Sequence, residues 1–208
     1  MTAALEFFTN PMSRGQIVRW MLEEVGEPYD AKVIDYAVMH DEAYRAVNPM
    51  MKVPAIVHRG KLVTECAAIC AYLADVFPDV ELGPREVEKA DYYRWLFFAA
   101  GPIEQAVTNK SFGFAPTEEQ GRSVGYGSYD RAVQTFADHL ADRDYVCGDR
   151  FTGADVYVGS QVMWGTQFGT LPKLGSFSAY GERLSSRDAY KRAKAIDMKL
   201  IAEMQPAS

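Results

Sequence analysis

Lys52-Val53-Pro54-Ala55-Ile56-Val57, then a tight turn, then Leu62-Val63-Thr64-Glu65-Cys66-Ala67-Ala68-Ile69 is the stretch that decides the fold. It reads as a strand entered through Val-Pro, a hairpin, and a helix opened by an acidic residue. Proline has no N–H to give to a ladder, so in a sheet region it marks a strand start or a turn, often with a cis bond. The backbone of Val53 is then left to pair with something outside its own sheet. Glu65 and Cys66 fall where a helix begins, with unpaired N–H groups and a positive dipole end aimed outward. An extended edge beside an anion-binding helix end suits a small peptide with a free carboxylate.

Working outward, the first part of the chain alternates in period. Ala4 to Phe8 is a short apolar strand. Ile17, Val18, Met21, Leu22 and Val25 recur at helical spacing and stop at Gly26, a good C-cap. Tyr29 to Ile34 reads as a second strand, and Asp41 to Val47 as a short helix ended by Asn48-Pro49. Ala55 to Val57 and Leu62 to Thr64 flank Arg59-Gly60 as a hairpin, and Cys66 to Val76 closes the unit as a helix. The order β-α-β-α-β-β-α over roughly 80 residues fits one α/β layer of the thioredoxin-like kind.

Phe77-Pro78-Asp79 through Gly83-Pro84 is a linker by composition. Beyond it the strong signals are helical. Val87 to Asn109 is one long helix that Gly101-Pro102 should kink. Tyr129, Val133, Phe136 and Leu140 form another apolar stripe, and Tyr190, Ala193, Ile196, Leu200 and Met204 a last one. Thr152-Gly153-Ala154-Asp155 is a helix start, with Thr152 as cap and Asp155 reaching back. The expectation is a thioredoxin-like domain over residues 1–78, an all-α helical-bundle domain over 86–208, and no strand pairing beyond residue 90.

Composition narrows the function classes. The chain has 208 residues, 48% of them hydrophobic, which is ample for a packed core. A net charge of −6 disfavours binding to a phosphate backbone. The N-terminus carries no basic region ahead of an apolar run, and the greasy segment Trp95 to Ala100 is too short to span a bilayer. Three cysteines, two of them four apart on one helix, make a disulfide framework improbable. A cytoplasmic protein with neither nucleic-acid nor membrane partners is expected.

A thioredoxin-type unit carries its reactive residue where the first strand meets the first helix. That junction here is Phe8-Thr9-Asn10-Pro11-Met12-Ser13-Arg14-Gly15. A redox protein would show Cys-x-x-Cys; Asn-Pro-Met-Ser cannot form a disulfide. Ser13 can donate a hydrogen bond from just before a helix N-terminus, and Asn10 can donate through its side-chain amide. A bound thiol, as of glutathione, would gain from such a donor and from the helix dipole. Lowering its pKa by ~2 units from roughly 8.5 needs ~2.7 kcal/mol of differential stabilisation. The plainer reading of Ser13 is an ordinary N-cap; the downstream Val-Pro and Glu-Cys signals favour the active site.

These residues carry a resemblance. Asn10-Pro11-x-Ser13-Arg14, Asn48-Pro49-x-x-Lys52-Val53-Pro54-Ala55, Thr64-Glu65-Cys66-x-Ala68-Ile69 and Phe151-Thr152-x-Ala154-Asp155 together resemble the motifs of bacterial cytosolic glutathione S-transferases of the serine type. The resemblance spans nearly the whole chain. It implies that Val53, ahead of cis-Pro54, pairs with the cysteinyl part of glutathione, the co-substrate. It implies that Glu65 and Cys66 hold the γ-glutamyl end, and that His40 and Lys52 lie near the glycine carboxylate. Cys66 replaces the usual serine and Met51 a common glycine. Phe8 stands where tyrosine-type relatives carry a catalytic phenol. His40 and Lys52 can equally be read as solvated surface groups.

The second substrate is expected to be a hydrophobic electrophile in a pocket at the domain junction, walled by Trp95, Phe98, Phe112, Phe114 and Trp164, with Met12 from the catalytic loop. For any single aromatic among these, core is the safer reading, with Phe112-Gly113-Phe114 the best exception. Glutathione conjugation, with a role in detoxification, leads; glutathione-dependent peroxide reduction or dehalogenation uses the same thiolate, and a non-enzymatic binding protein of this fold is the third class. No metal is called for. The resemblance also implies a homodimer, and the stretch Tyr92-Tyr93-x-Trp95-Leu96-Phe97-Phe98 is apolar around too much of its helix for one intramolecular face.

Overall fold

The computed structural model describes residues 5–204. Strand β1 (Leu5–Thr9) leads into helix α1 (Gly15–Val25), then β2 (Asp30–Val33), a single turn α2 (Glu42–Arg45), the hairpin β3 (Ala55–His58) and β4 (Lys61–Thr64), and α3 (Cys66–Val76). Ala4, which the periodicity includes in the first strand, lies outside the described residues. The sheet order is β2-β1-β3-β4, with β1 parallel to β2 and antiparallel to β3. This is the thioredoxin-like arrangement the sequence predicts.

Local chemistry accounts for these boundaries. Gly26 ends α1 in the left-handed conformation, φ 77°, and its N–H bonds the Leu22 carbonyl. Arg59 and Gly60 both have positive φ, as a two-residue hairpin turn requires. On α1, Ile17, Val18, Trp20, Met21 and Leu22 are buried; each such side chain contributes about 1.5–3 kcal/mol of transfer free energy.

The chain divides into two compact units, the described residues up to Val80 together with those from Arg187 onward, and Glu81–Ser186. The final helix, α9 (Asp188–Met204), therefore groups with the sheet rather than with the helices that precede it in sequence, although its periodicity is purely helical. It packs on α1 through specific polar pairs: Arg19 to Asp197 at 2.7 Å, Arg187 to both Glu24 oxygens at 2.7 and 2.8 Å, and Trp20 edge-on to Tyr190.

The second unit is helical. It holds α4 (Lys89–Phe98), α5 (Glu104–Ser111), α6 (Tyr129–Ala141), α7 (Gly153–Phe168) and α8 (Gly175–Ser185), and α9 (Asp188–Met204) follows it in the chain. The kink expected at Gly101-Pro102 is a wide π-helical turn, Ala99–Ile103, which joins α4 to α5. A proline without an N–H leaves a carbonyl unmatched, and a wider turn accommodates the mismatch. The sequence reading did not assign α8, although Phe177, Tyr180 and Leu184 are spaced along one face and buried. No strand occurs beyond residue 90 among the described residues; Tyr145 and Gly148 bond each other's backbone within one tight turn. No described helix is long and apolar enough to cross a membrane.

Asp155 organises the start of α7. One carboxylate oxygen accepts from the Thr152 N–H and hydroxyl at 2.8 and 3.0 Å. The other accepts from the Val146 N–H at 2.7 Å and the Tyr180 hydroxyl at 2.8 Å. The sequence predicts the Thr152 half of this arrangement, and the fold adds the links to Val146 and α8. Burial pushes the Asp155 carboxyl up, and the four donors pull it back only in part.

Candidate active site

Strand register brings the motifs to one end of the sheet. Phe8 pairs with Ala55, and Ala55 with Thr64. One residue further along stand Thr9, Pro54 and Glu65, so the β1–α1 loop, the Val-Pro entry and the start of α3 emerge side by side. On the other flank, Thr9 pairs with Val33 and its carbonyl accepts from Ile34. The Cys66 sulfur lies 3.8 Å from the Arg14 carbonyl, a direct link between α3 and the β1–α1 loop.

The loop 10–14 is tightly cross-bonded. Asn10 is fully buried; its amide donates to the Ile34 carbonyl at 2.9 Å and its oxygen accepts from the Met12 N–H at 2.9 Å. The Ser13 hydroxyl donates to the Asn10 carbonyl at 2.7 Å and accepts from the Gly15 N–H at 2.9 Å. Ser13 thus staples the turn into α1, one residue ahead of the cap position Arg14. Gly15 is a residue the sequence reading passed over. A side-chain carbon there would sit 2.0 Å from the Thr9 hydroxyl and 3.1 Å from Ser13 Oγ, so only glycine lets the loop close this far. Phe8 offers no hydroxyl and packs against the Tyr44 ring, 6.0 Å between centroids.

The Val53–Pro54 bond is cis. Among the described residues, neither the N–H nor the carbonyl of Val53 has a hydrogen-bond partner. What precedes it is held firmly: the Lys52 carbonyl accepts from the Tyr44 hydroxyl at 2.7 Å and from the buried Asn48 amide at 2.8 Å. The role of Tyr44 in this clamp had no sequence signal beyond its place in a short helix. Met51 adopts φ 52°, the left-handed conformation that glycine tolerates best. The loop keeps a glycine-like shape with a methionine in it. Met51→Gly is expected to raise the unfolding free energy by about 1 kcal/mol. The measurement is a denaturant midpoint at unchanged slope; an equal or lower midpoint would show the methionine to be unstrained.

Glu65 caps α3 with φ 66° and no side-chain hydrogen bond to the first turn. Its carboxylate is exposed, while Cys66 is buried. His40 and Lys52 are both exposed and come from the two loops on either side of α2. The protein's other thiols are poor nucleophiles: burial, and then the Asp155 charge, push Cys147 up to about 12, and burial holds Cys70 well above the usual thiol range.

Residues 12–76 match the model of the glutathione S-transferase N-terminal domain. The chain is 29% identical to glutathione S-transferase GstA of Escherichia coli, over 80% of this chain and 85% of that protein. It is 28% identical to glutathione S-transferase GST-4.5 of Xanthomonas campestris, over 76% and 81% respectively. A sphingomonad glutathione S-transferase solved with glutathione superposes with a TM-score of 0.74 at 26% identity, covering 93% of this chain and 98% of that one. Residues 12–76 thus carry a glutathione S-transferase N-terminal domain, and most of the chain is similar to bacterial glutathione S-transferases.

Asn10, Ser13, Val53, Pro54, Glu65 and Cys66 all lie at the sheet end described above. The aromatic residues read as walls of an electrophile pocket fall into different environments. Trp95 is in the core of the second unit, stacked 3.9 Å from His139 and beside Phe98 and Phe136. Burial thus makes Trp95 a packing residue. Phe98 and Trp164 are half-buried. Phe112 and Phe114 flank Gly113 and are 84% and 43% exposed, and Met12 on the first unit is 55% exposed.

Proposed function

We propose that this protein is a glutathione transferase that binds glutathione at the C-terminal end of β1 and lowers the pKa of its thiol for attack on a hydrophobic electrophile. The carrying observation is the convergence, by strand register, of the β1–α1 loop, the unpaired Val53 backbone and the capless start of α3. Val53 supplies a donor and an acceptor for the cysteinyl backbone. The first-turn N–H groups of α3 suit the γ-glutamyl carboxylate, and exposed Glu65 suits its ammonium. Lys52 and His40 supply positive charge for the glycine carboxylate. Ser13, as the serine-type donor, turns its hydroxyl from the Asn10 carbonyl to the sulfur when the thiolate is bound, with Asn10 shaping the loop.

On the second unit the electrophile would contact exposed apolar side chains, with Phe112 and Phe114 the leading candidates and Phe98 and Trp164 behind them. On the first unit the candidate is Met12 of the catalytic loop. Conjugation of this kind serves detoxification in the cytoplasm. Retention on immobilised glutathione, with elution by free glutathione, tests binding, and an aryl-halide conjugation assay tests chemistry. Failure of both would overturn the reading.

A homodimer is part of the proposal. On α4, Tyr92, Trp95 and Leu96 are buried, while Tyr93 and Phe97 on the other face are 47% and 72% exposed. A two-fold partner is the commonest cover for such a face. Light scattering at micromolar concentration should give about 46 kDa, twice the 23.2 kDa chain. Phe97→Glu should shift it toward the monomer; a monomeric wild type with full activity would end the idea.

A further inference from the structure

The loop that carries Ser13 is tied to a helix nearly two hundred residues away. Lys194 on α9 donates from Nζ to Gln16 Oε1 at 2.8 Å. The same amide donates from Nε2 to the Pro11 carbonyl at 2.5 Å. Pro11 has no N–H, so its carbonyl is its one backbone handle. Met12 and Ser13 spend their N–H groups on Asn10, which shapes the loop internally without fixing it to the helices behind it. Ser13 and Arg14 are tied to Gly15 of α1 and Cys66 of α3, and the Gln16 amide adds the tie that reaches Pro11.

We infer that Gln16 and Lys194 are positioning residues for thiol activation, holding Pro11 so that the Ser13 hydroxyl stays in register with the bound sulfur. This rests on the reading of loop 10–14 as the thiol-activating loop. An ammonium donating to an amide oxygen polarises the amide and strengthens its N–H as a donor, so the two bonds reinforce each other. Neither residue reaches the reacting atoms in this arrangement. Lys194 belongs to the same compact unit as the loop, and α9 is anchored independently by Arg19–Asp197 and Arg187–Glu24. Removing one amine from Lys194 therefore leaves the helix in place.

The test compares wild type, Lys194→Met, Lys194→Arg, Gln16→Met and the Gln16→Met/Lys194→Met double variant, with Ser13→Ala alongside. Lys194→Met should melt near wild type yet speed amide exchange of Met12, Ser13 and Gly15 in the free protein by about tenfold. With glutathione bound, the thiol pKa should rise and kcat at pH well below that pKa fall by about twofold, less than in Ser13→Ala, with KM for glutathione nearly unchanged. Lys194→Arg should restore both, and the double variant should be no worse than Gln16→Met, as for two links of one chain. Wild-type exchange and thiol pKa in Lys194→Met, with Ser13→Ala still shifting that pKa, would overturn the inference and leave the site reading standing. An unshifted thiol pKa in Ser13→Ala and in Asn10→Ala would bring down the site reading, and the inference with it.

Discussion

Ser13→Ala is expected to raise the pKa of bound glutathione by about 1–2 units, since a hydrogen bond to a charged acceptor is worth about 1.5–3 kcal/mol. Glutathione affinity should change little, because the peptide is held by the Val53 backbone and the start of α3. Well below both pKa values the thiolate fraction then drops by about 10–100-fold, but a more basic thiolate attacks faster, with a Brønsted slope of about 0.5. The net loss in conjugation rate is about 3–10-fold there, and only about twofold at neutral pH, where a thiol lowered to roughly 6.5 is already mostly ionised. It should shrink as pH rises and change sign once both thiols are ionised, because the more basic thiolate of the variant then attacks faster. The sign follows from the group: a lost donor destabilises the charged form, so more base is needed to reach it.

The structure adds a second consequence. Ser13 Oγ accepts the Gly15 N–H, so the alanine variant also loses a turn bond worth about 1 kcal/mol of stability. Ultraviolet absorbance of the thiolate, titrated in both proteins, separates the two effects. Superimposable titration curves would remove Ser13 from the chemistry and leave it as the turn staple seen in the free protein. Asn10 would be the next donor to test, although it is buried and one of its amide protons is committed to Ile34.

Asp155→Ala should be the most destabilising single change considered, by about 3–5 kcal/mol. Its carboxylate is fully buried and accepts from four donors on three segments. Truncation leaves the Val146 N–H, the Thr152 N–H and hydroxyl and the Tyr180 hydroxyl without that acceptor, and each buried donor so stranded costs about 1–3 kcal/mol before water enters the space. The loss should appear as a lower urea midpoint. Tyr180→Phe, which deletes one donor along with its need for a partner, should cost far less. A drop below about 1 kcal/mol for Asp155→Ala would mean that water replaces the carboxylate at little cost.

Much of the first unit, and the start of α7 in the second, was legible because the signals are local. Gly26 stops α1, Arg59-Gly60 turns the hairpin, and Thr152 with Asp155 starts α7; each rests on residues within a few positions of one another. Helix α3 was read to its observed ends, Cys66–Val76, because the acidic cap and the apolar run bracket it. The long helix across Gly101-Pro102 was read as kinked, but a wide turn rather than a bend is a choice made by packing around Ala99 and Ile103, both buried. Trp95 shows the limit for site residues: an aromatic on an apolar helix reads the same from the sequence whether it lines a pocket or fills a core.

The sequence by itself determined the β-α-β-α-β-β-α order, the Val-Pro strand entry, the acidic start of α3 and the Asn-Pro-Met-Ser junction, since each is set by backbone rules acting over a few residues. Only the tertiary structure decided that α9 packs back on α1, that Gly15 must be bare so that Thr9 and Ser13 can close on it, and that Lys194 reaches the Pro11 carbonyl through Gln16. The physical reason is range. Helix propensity, caps and turns are fixed by neighbours along the chain. Salt bridges, relayed hydrogen bonds and close approaches depend on which surfaces pack together, and a one-dimensional pattern leaves that choice open.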